Sequence, residues 1–288
     1  MLGMQPLETT TLLAFAILLL ALLYSSVGHA GASGYLAAMA LVTQMPQDQM
    51  KAIALTLNIC VGIIAAWRFM RAGHFHWQTF WPIGLAAIPM AFIGGLWTLP
   101  AIIFKPLIGL VLTYAAVMLV IRARTPSSNS DQPKTTPQLP PLPIALLCGC
   151  VLGLMAGLTG TGGGIFLSPL LLLCGWADAK RTAAVTIVFV LLNSIAGLGG
   201  VILDSAQLPA QLPFYILAAI IGGTIGSGLG ARQIPGNGIR LLLAIVLLIA
   251  AGKMFLTAFE TSEPAMLQSN HAQPLSSLEG GKSRIEVI

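Results

Sequence analysis

Charged residues interrupt this chain so rarely that its apolar runs can be read off directly. No Asp, Glu, Lys or Arg falls within Thr9–Gln47, Ala52–Trp67, Ala72–Phe104, Pro106–Ile121, the stretch between Lys134 and Asp178, Thr182–Leu203 or Ser205–Ala231. A helix that crosses a bilayer needs about 20 mostly apolar residues, so each longer run holds two segments separated by Gly, Pro or Ser/Thr clusters. This pattern predicts helices over 10–27, 35–44, 51–69, 78–97 and 101–121, then over 142–160, 165–175, 181–202, 210–230 and 238–259. The second and seventh are too short to span alone. The expected fold class is an all-α polytopic membrane protein.

Composition agrees with the pattern. The 288 residues are 56% hydrophobic and 8% charged, with a mean hydropathy of +0.88, whereas about a quarter of a soluble domain is charged. The formal net charge of +5 is scattered over loops, which argues against a nucleic-acid footprint. Cys60, Cys148, Cys150 and Cys174 all stand in apolar segments without a CxxC pair, so neither a disulfide framework nor a metal site is indicated and no cofactor is expected. The segment from Thr11 to Val27 reads as a retained helix and not a signal peptide, because it is preceded by Glu8 without Lys or Arg.

Between the halves runs RARTPSSNSDQPKTTPQLPPLP, whose Pro, Ser and Thr content cannot form a core. The expected organisation is a first transmembrane repeat over 1–121, a cytoplasmic linker over 122–141, a second repeat over 142–259 and a disordered polar tail over 260–288.

The stretch GLTGTGGGIFLSPLLLL, from Gly157 to Leu173, breaks an apolar run with five glycines, two threonines and a proline. Glycine allows the backbone to leave helical geometry. At membrane depth that is tolerated only where the freed amides face protein or a wet cavity, so the break is a candidate binding site. Its counterpart is VGHAGASG, from Val27 to Gly34, followed by the apolar YLAAMALV.

Further matches keep the same order. Lys51 and Thr56 match Arg181 and Thr186 at an offset of 130, and Asn58-x3-Gly62 matches Asn193-x3-Gly197 at 135. Pro100-x4-Lys105 matches Pro235-x4-Arg240, also at 135. The chain therefore reads as two repeats of about five helical segments each, with broken helices at the Gly-rich motifs. Paired interruptions of this kind point to a transporter's binding site.

Charge tests the relative orientation of the repeats. Counting ten crossings, loops after odd-numbered helices hold Arg68, Arg71, Arg122, Arg124, Lys134, Lys180, Arg181, Arg232 and Arg240, while even loops hold only Lys51 and Lys105. The positive-inside rule makes the first set cytoplasmic and puts both termini outside. An odd number of segments per half then inverts the second repeat relative to the first. Re-entrant short helices would change the side of the termini.

At this point the second-half motif resembles a known family. The pattern G-x2-G-x-G-G-G, with a proline five residues after the last glycine, is met by Gly157, Gly160, Gly162, Gly163, Gly164 and Pro169. It resembles the signature of the TauE/SafE family, also called the sulfite exporter or toluene-sulfonate uptake permease family, and the resemblance covers roughly residues 12–259. The first-half copy keeps Gly28, Gly31 and Gly34, with Ala30 and Ala32 where the second copy has glycines. The resemblance implies a multi-pass secondary transporter of the bacterial inner membrane for small sulfur-containing anions such as sulfite and organosulfonates. Export and proton coupling are expected from the resemblance alone.

The residues themselves fit an anion. Helix pieces restarting after the breaks would aim N-termini, each carrying about half a positive charge, at the interruption. The candidate substrate-binding set is Gly160, Thr161, Gly162, Gly163 and Gly164 with Thr159 and Ser168, facing Gly28, His29, Gly31 and Ser33. Thr56, Asn58, Thr186 and Asn193 on the following helices form the next layer. His29 is read as the deep ionisable side chain, either a proton carrier or a neutral donor. Plain structural roles compete with these: glycine for close helix packing, Ser and Thr for bonds to their own helix, Asn for joining helices.

The expected partners are a small anion, protons and the bilayer, and a homodimer is left open. Two other classes remain. Gly31-Ala32-Ser33-Gly34 matches the GxSG motif of rhomboid-type intramembrane proteases, but such a serine needs a His base within reach, and no later membrane helix here carries one. A scaffold or assembly protein without substrate would use the glycines only for packing.

Overall fold

The computed structural model describes residues 7–26, 29–43, 45–97, 99–124, 139–203 and 208–230, together with Ile245, Leu248, Ala251, Gly252, Phe255 and Leu256. All regular structure among these residues is helical. In chain order the helices are α1 (Leu7–Ser26), α2 (Ala32–Val42), α3 (Gln47–Arg71), α4 (Trp77–Leu96), α5 (Ala101–Arg124), α6 (Leu142–Thr159), α7 (Gly164–Leu173), α8 (Ala179–Leu203) and α9 (Leu212–Gly230). The helix expected over 238–259 falls largely outside the described residues, although the six positions within it are helical. Most of the linker and the tail also lie outside them.

Helices α1, α3, α4, α6 and α8 are each long and apolar enough to cross a membrane. Large apolar side chains stand outward on them, as Leu85, Leu147 and Val151 do, which suits a lipid solvent. The chain is a multi-pass membrane protein. By contrast α2 and α7, of 11 and 10 residues, reach only about 16 Å at 1.5 Å per residue. Neither can span the roughly 30 Å hydrocarbon core.

Small residues decide which helices pair. A side chain at Gly149, Gly153 or Gly157 of α6 would collide with the carbonyls of Ile83, Ala87 and Ala91 of α4 in turn. Gly222 and Gly226 of α9 meet the carbonyls of Leu18 and Leu22 of α1 in the same way. In lipid, where burial of apolar surface gives little drive, such backbone-to-backbone contact is what holds helices together. The steady spacing of both series makes α4 and α6 run parallel, and α1 and α9 likewise. At the centre α3 and α8 cross antiparallel, with Leu55 against Gly197, Asn58 against Ser194 and Gly62 against Leu191.

The short helices double back. Gly34 of α2 lies against Tyr24 and Leu20 of α1, so the chain reverses between the two helices. Gly163 touches Ala156 and Leu152 of α6, and α7 then runs antiparallel to α8, with Gly164 against Val190 and Ser168 against Thr186. Every residue of α2 from Ala32 to Ala40 is buried. Its Tyr35, Leu36 and Met39 share a core with Leu13 and Ile17 of α1 and with Ile53 and Leu57 of α3. An apolar surface on all sides is what a helix packed inside a bundle requires.

Candidate functional site

The fold brings the two glycine breaks to one place. In the first, His29 N–H donates to the Tyr24 carbonyl at 3.0 Å and Gly31, at φ 106°, opens α2. In the second, Gly160 closes α6 at φ 73°, and Gly162 and Gly163, at 72° and 78°, lead into α7. Left-handed backbone of this kind costs an L residue roughly 1–2 kcal/mol, so glycine lets one helix stop and the next start in a different direction.

Asn58 joins the two breaks. It lies near the middle of α3 with no exposed surface. Its Oδ1 accepts the N–H of Ala32, the first residue of α2, at 3.0 Å. Its Nδ2 donates to Ser194 Oγ at 3.2 Å and reaches the Thr161 carbonyl at 3.4 Å. One carboxamide thus touches the first break, the second break and α8. Beside it is a cavity of about 10 Å³ whose lining includes Tyr24, His29, Ser33, Asn58, Thr161 and Gly164. That is room for about one water, not for a sulfur carrying three oxygens.

The electrostatics of the cavity favour negative charge. Ala32 and Ser33 at the start of α2, and Gly164 and Ile165 at the start of α7, all line it. The first amides of a helix have no intrahelical acceptor and carry partial positive charge. Two such ends meet here, and no carboxylate stands among the described lining residues.

The remaining candidates are distributed unevenly. Ser168 Oγ lies 3.0 Å from Thr186 Oγ1 and 3.4 Å from His29 Nε2, so these three link the first break to α7 and α8. Thr159 Oγ1 donates to the Met155 carbonyl at 2.6 Å and lies 2.8 Å from Thr161 Oγ1. Thr56 turns its hydroxyl onto the Ala52 carbonyl of its own helix at 2.7 Å. Ser33 Oγ donates to the Tyr24 hydroxyl at 3.0 Å, so its proton faces a phenol. Asn193 is fully buried, and neither of its amide atoms has a hydrogen-bond partner among the described residues. Gly28 lies outside the described residues.

Three contributors escaped the sequence reading. Tyr24 receives Ser33, and the Tyr35 hydroxyl donates to the Ala30 carbonyl at 2.8 Å; a tyrosine inside an apolar segment signals such a partner, because a buried hydroxyl needs one. Lys51 was counted with a loop between helices. It lies within α3, 4% exposed, and donates from Nζ to the Trp97 carbonyl at 3.2 Å. Its Cα and Cγ sit 3.1 Å from where a Gly160 side chain would begin. The second break therefore has a buried lysine stem packed over it, and a cation stands two helical turns from Asn58 on the same helix.

Two broken helices whose restarted pieces open on one cavity inside a polytopic helical bundle are the arrangement of a membrane transporter. Residues 13–254 match the family described as Sulfite exporter TauE/SafE, and the chain belongs to that family. A probable membrane transporter protein of Sinorhizobium fredii is 38% identical over 242 residues, covering 84% of this chain and 96% of the relative. A probable membrane transporter protein of Methanocaldococcus jannaschii is 27% identical over 139 residues, 47% of this chain and 49% of the relative. No solved structure gives a significant match.

Proposed function

We propose that this protein moves a small sulfur-containing oxyanion, sulfite or an organosulfonate, through the cavity between the two breaks. The observation that carries this reading is the convergence of the α2 and α7 N-termini on that cavity, with Asn58 spanning both breaks. Paired helix ends bind an oxyanion through backbone amides, with no Lys or Arg among the described lining residues to hold it in a fixed salt bridge. Release is then easy. The cavity is too small for the substrate as it stands, so transport requires the breaks to separate.

On this reading residues 1–121 and 142–259 are inverted repeats joined by the 122–141 linker. The antiparallel crossing of α3 with α8, and the parallel pairs α4 with α6 and α1 with α9, have the directions such a relation requires. The direction of transport is export and the coupling ion is the proton, with His29 as its carrier. His29 suits the role because it lines the cavity and its Nε2 also lies 3.4 Å from Ser168 Oγ of the opposite repeat.

Purified protein in proteoliposomes, given radiolabelled sulfite, thiosulfate, sulfoacetate or taurine with and without a pH gradient, tests the whole reading. Saturable flux of at least one, stimulated by an inward proton gradient, is the expected result. A protein that neither binds nor moves any of these anions overturns it.

A further inference from the structure

Asn58 and Asn193 occupy matching places in the two halves, each followed four residues later by glycine. Asn58 faces Ser194, the residue next to Asn193 in α8, where α3 and α8 cross. Both asparagines are fully buried, yet their amides are in opposite conditions. Asn58 has every polar atom engaged and caps the first residue of α2. Neither amide atom of Asn193 has a hydrogen-bond partner among the described residues.

The corresponding duty for Asn193 would be to cap α7, whose first residue is Gly164. Its position suits that duty. Thr186 and Val190, the two residues of α8 that touch Gly164, lie on one helical stripe with Asn193. Side chains on a helix lean toward its N-terminus, which tips Asn193 toward Val190 and the start of α7. A buried carboxamide without a partner is disfavoured enough to be rare in a settled structure. A second arrangement of the bundle that satisfies it is the economical explanation.

We infer that the two asparagines are alternate caps: in the described state Asn58 holds the start of α2 and Asn193 is released, and in the oppositely facing state Asn193 holds the start of α7 while Asn58 lets go. The inference rests on the transporter reading, because exchange between two states is useful only if both are visited. It assigns the asparagines opposite roles in stability although they have the same role in the cycle. The exchange would run through the α3–α8 contact, where Asn58 meets Ser194 beside Asn193 in the chain.

Hydrogen exchange by mass spectrometry on the full-length protein, followed in peptides over 29–36 and 160–168, reads the two caps directly. Asn58→Asp keeps the acceptor for Ala32 and adds charge at a helix N-terminus, so it is expected to slow exchange over 29–36. Asn193→Asp is expected to slow exchange over 160–168 and quicken it over 29–36. Asn193→Leu, which removes only an unengaged amide, is expected to melt no lower than the wild type while sulfite flux falls at least tenfold; Asn58→Leu is expected to melt lower. The inference is overturned if the Asp variants do not move the two peptides in opposite senses, or if Asn193→Leu keeps flux within twofold. Reciprocal exchange in a protein that moves no sulfur oxyanion would leave the caps standing and remove the substrate instead.

Discussion

Gly162→Ala is the sharpest single test of the second break, and Gly175→Ala is its control. Both glycines have left-handed backbone, at φ 72° and 66°, so an alanine at either position meets a similar backbone penalty of roughly 1–2 kcal/mol. Their surroundings differ. A Cβ at Gly175 meets nothing within 4 Å, whereas at Gly162 it would stand 2.7 Å from Asn58 Nδ2 and 2.9 Å from Ser194 Oγ. The alanine must therefore displace the Asn58 amide. That weakens two of its hydrogen bonds, each worth about 0.6 kcal/mol on average inside a membrane bundle and at most about 1.7. The difference between the variants is then about 1–3 kcal/mol, on top of the shared backbone term. Thermal unfolding in detergent micelles measures it, and sulfite flux per folded molecule measures its functional side. Gly175→Ala should keep its flux, while Gly162→Ala should lose about tenfold or more by moving a residue that lines the cavity. Equal melting temperatures and equal flux for the two variants would refute the placement of the site at this break.

Other substitutions separate packing from transport. Gly153→Leu forces α6 away from the Ala87 carbonyl; overpacking of this kind costs about 1–3 kcal/mol, so the melting temperature should fall, and an unchanged value would show that the α4–α6 contact is not a principal support. His29→Gln keeps a hydrogen-bonding side chain beside Ser168 but cannot carry a proton, so sulfite flux should persist without responding to a pH gradient; full pH-driven flux would end the coupling role. Lys51→Met retains an apolar stem over Gly160 and removes the ammonium. It should raise the half-saturating sulfite concentration severalfold with a smaller effect on maximal rate, and an unchanged concentration dependence would show that this cation does not act on the anion.

Much of the architecture is legible in the chain because the bilayer imposes it. Helix positions follow from charge-free runs, and the nine described helices begin and end within a few residues of the apolar segments that predict them. The breaks are legible because Gly160, Gly162 and Gly163 adopt backbone angles that other residues avoid. Gly31 opens α2 in the same way, despite the alanines that make the first motif the weaker copy. What the same reasoning misses has a common cause. Lys51 looks like a boundary residue because charge marks segment ends, but a long stem can lie along a glycine while the ammonium bonds a helix-end carbonyl.

Residue order and composition alone thus determine a membrane-embedded helical protein with two glycine-broken segments and duplicated asparagines. They do so because water, lipid and backbone geometry act on each stretch locally. Only the tertiary structure decides that the short helices double back, that α3 and α8 cross at Asn58 and Ser194, and that one asparagine caps a helix while its twin is left unengaged. In a chain this apolar, side chains facing lipid and side chains facing protein look alike. The partner of each polar group is therefore set by how the helices pack across hundreds of residues of separation or few, and local pattern carries no record of it.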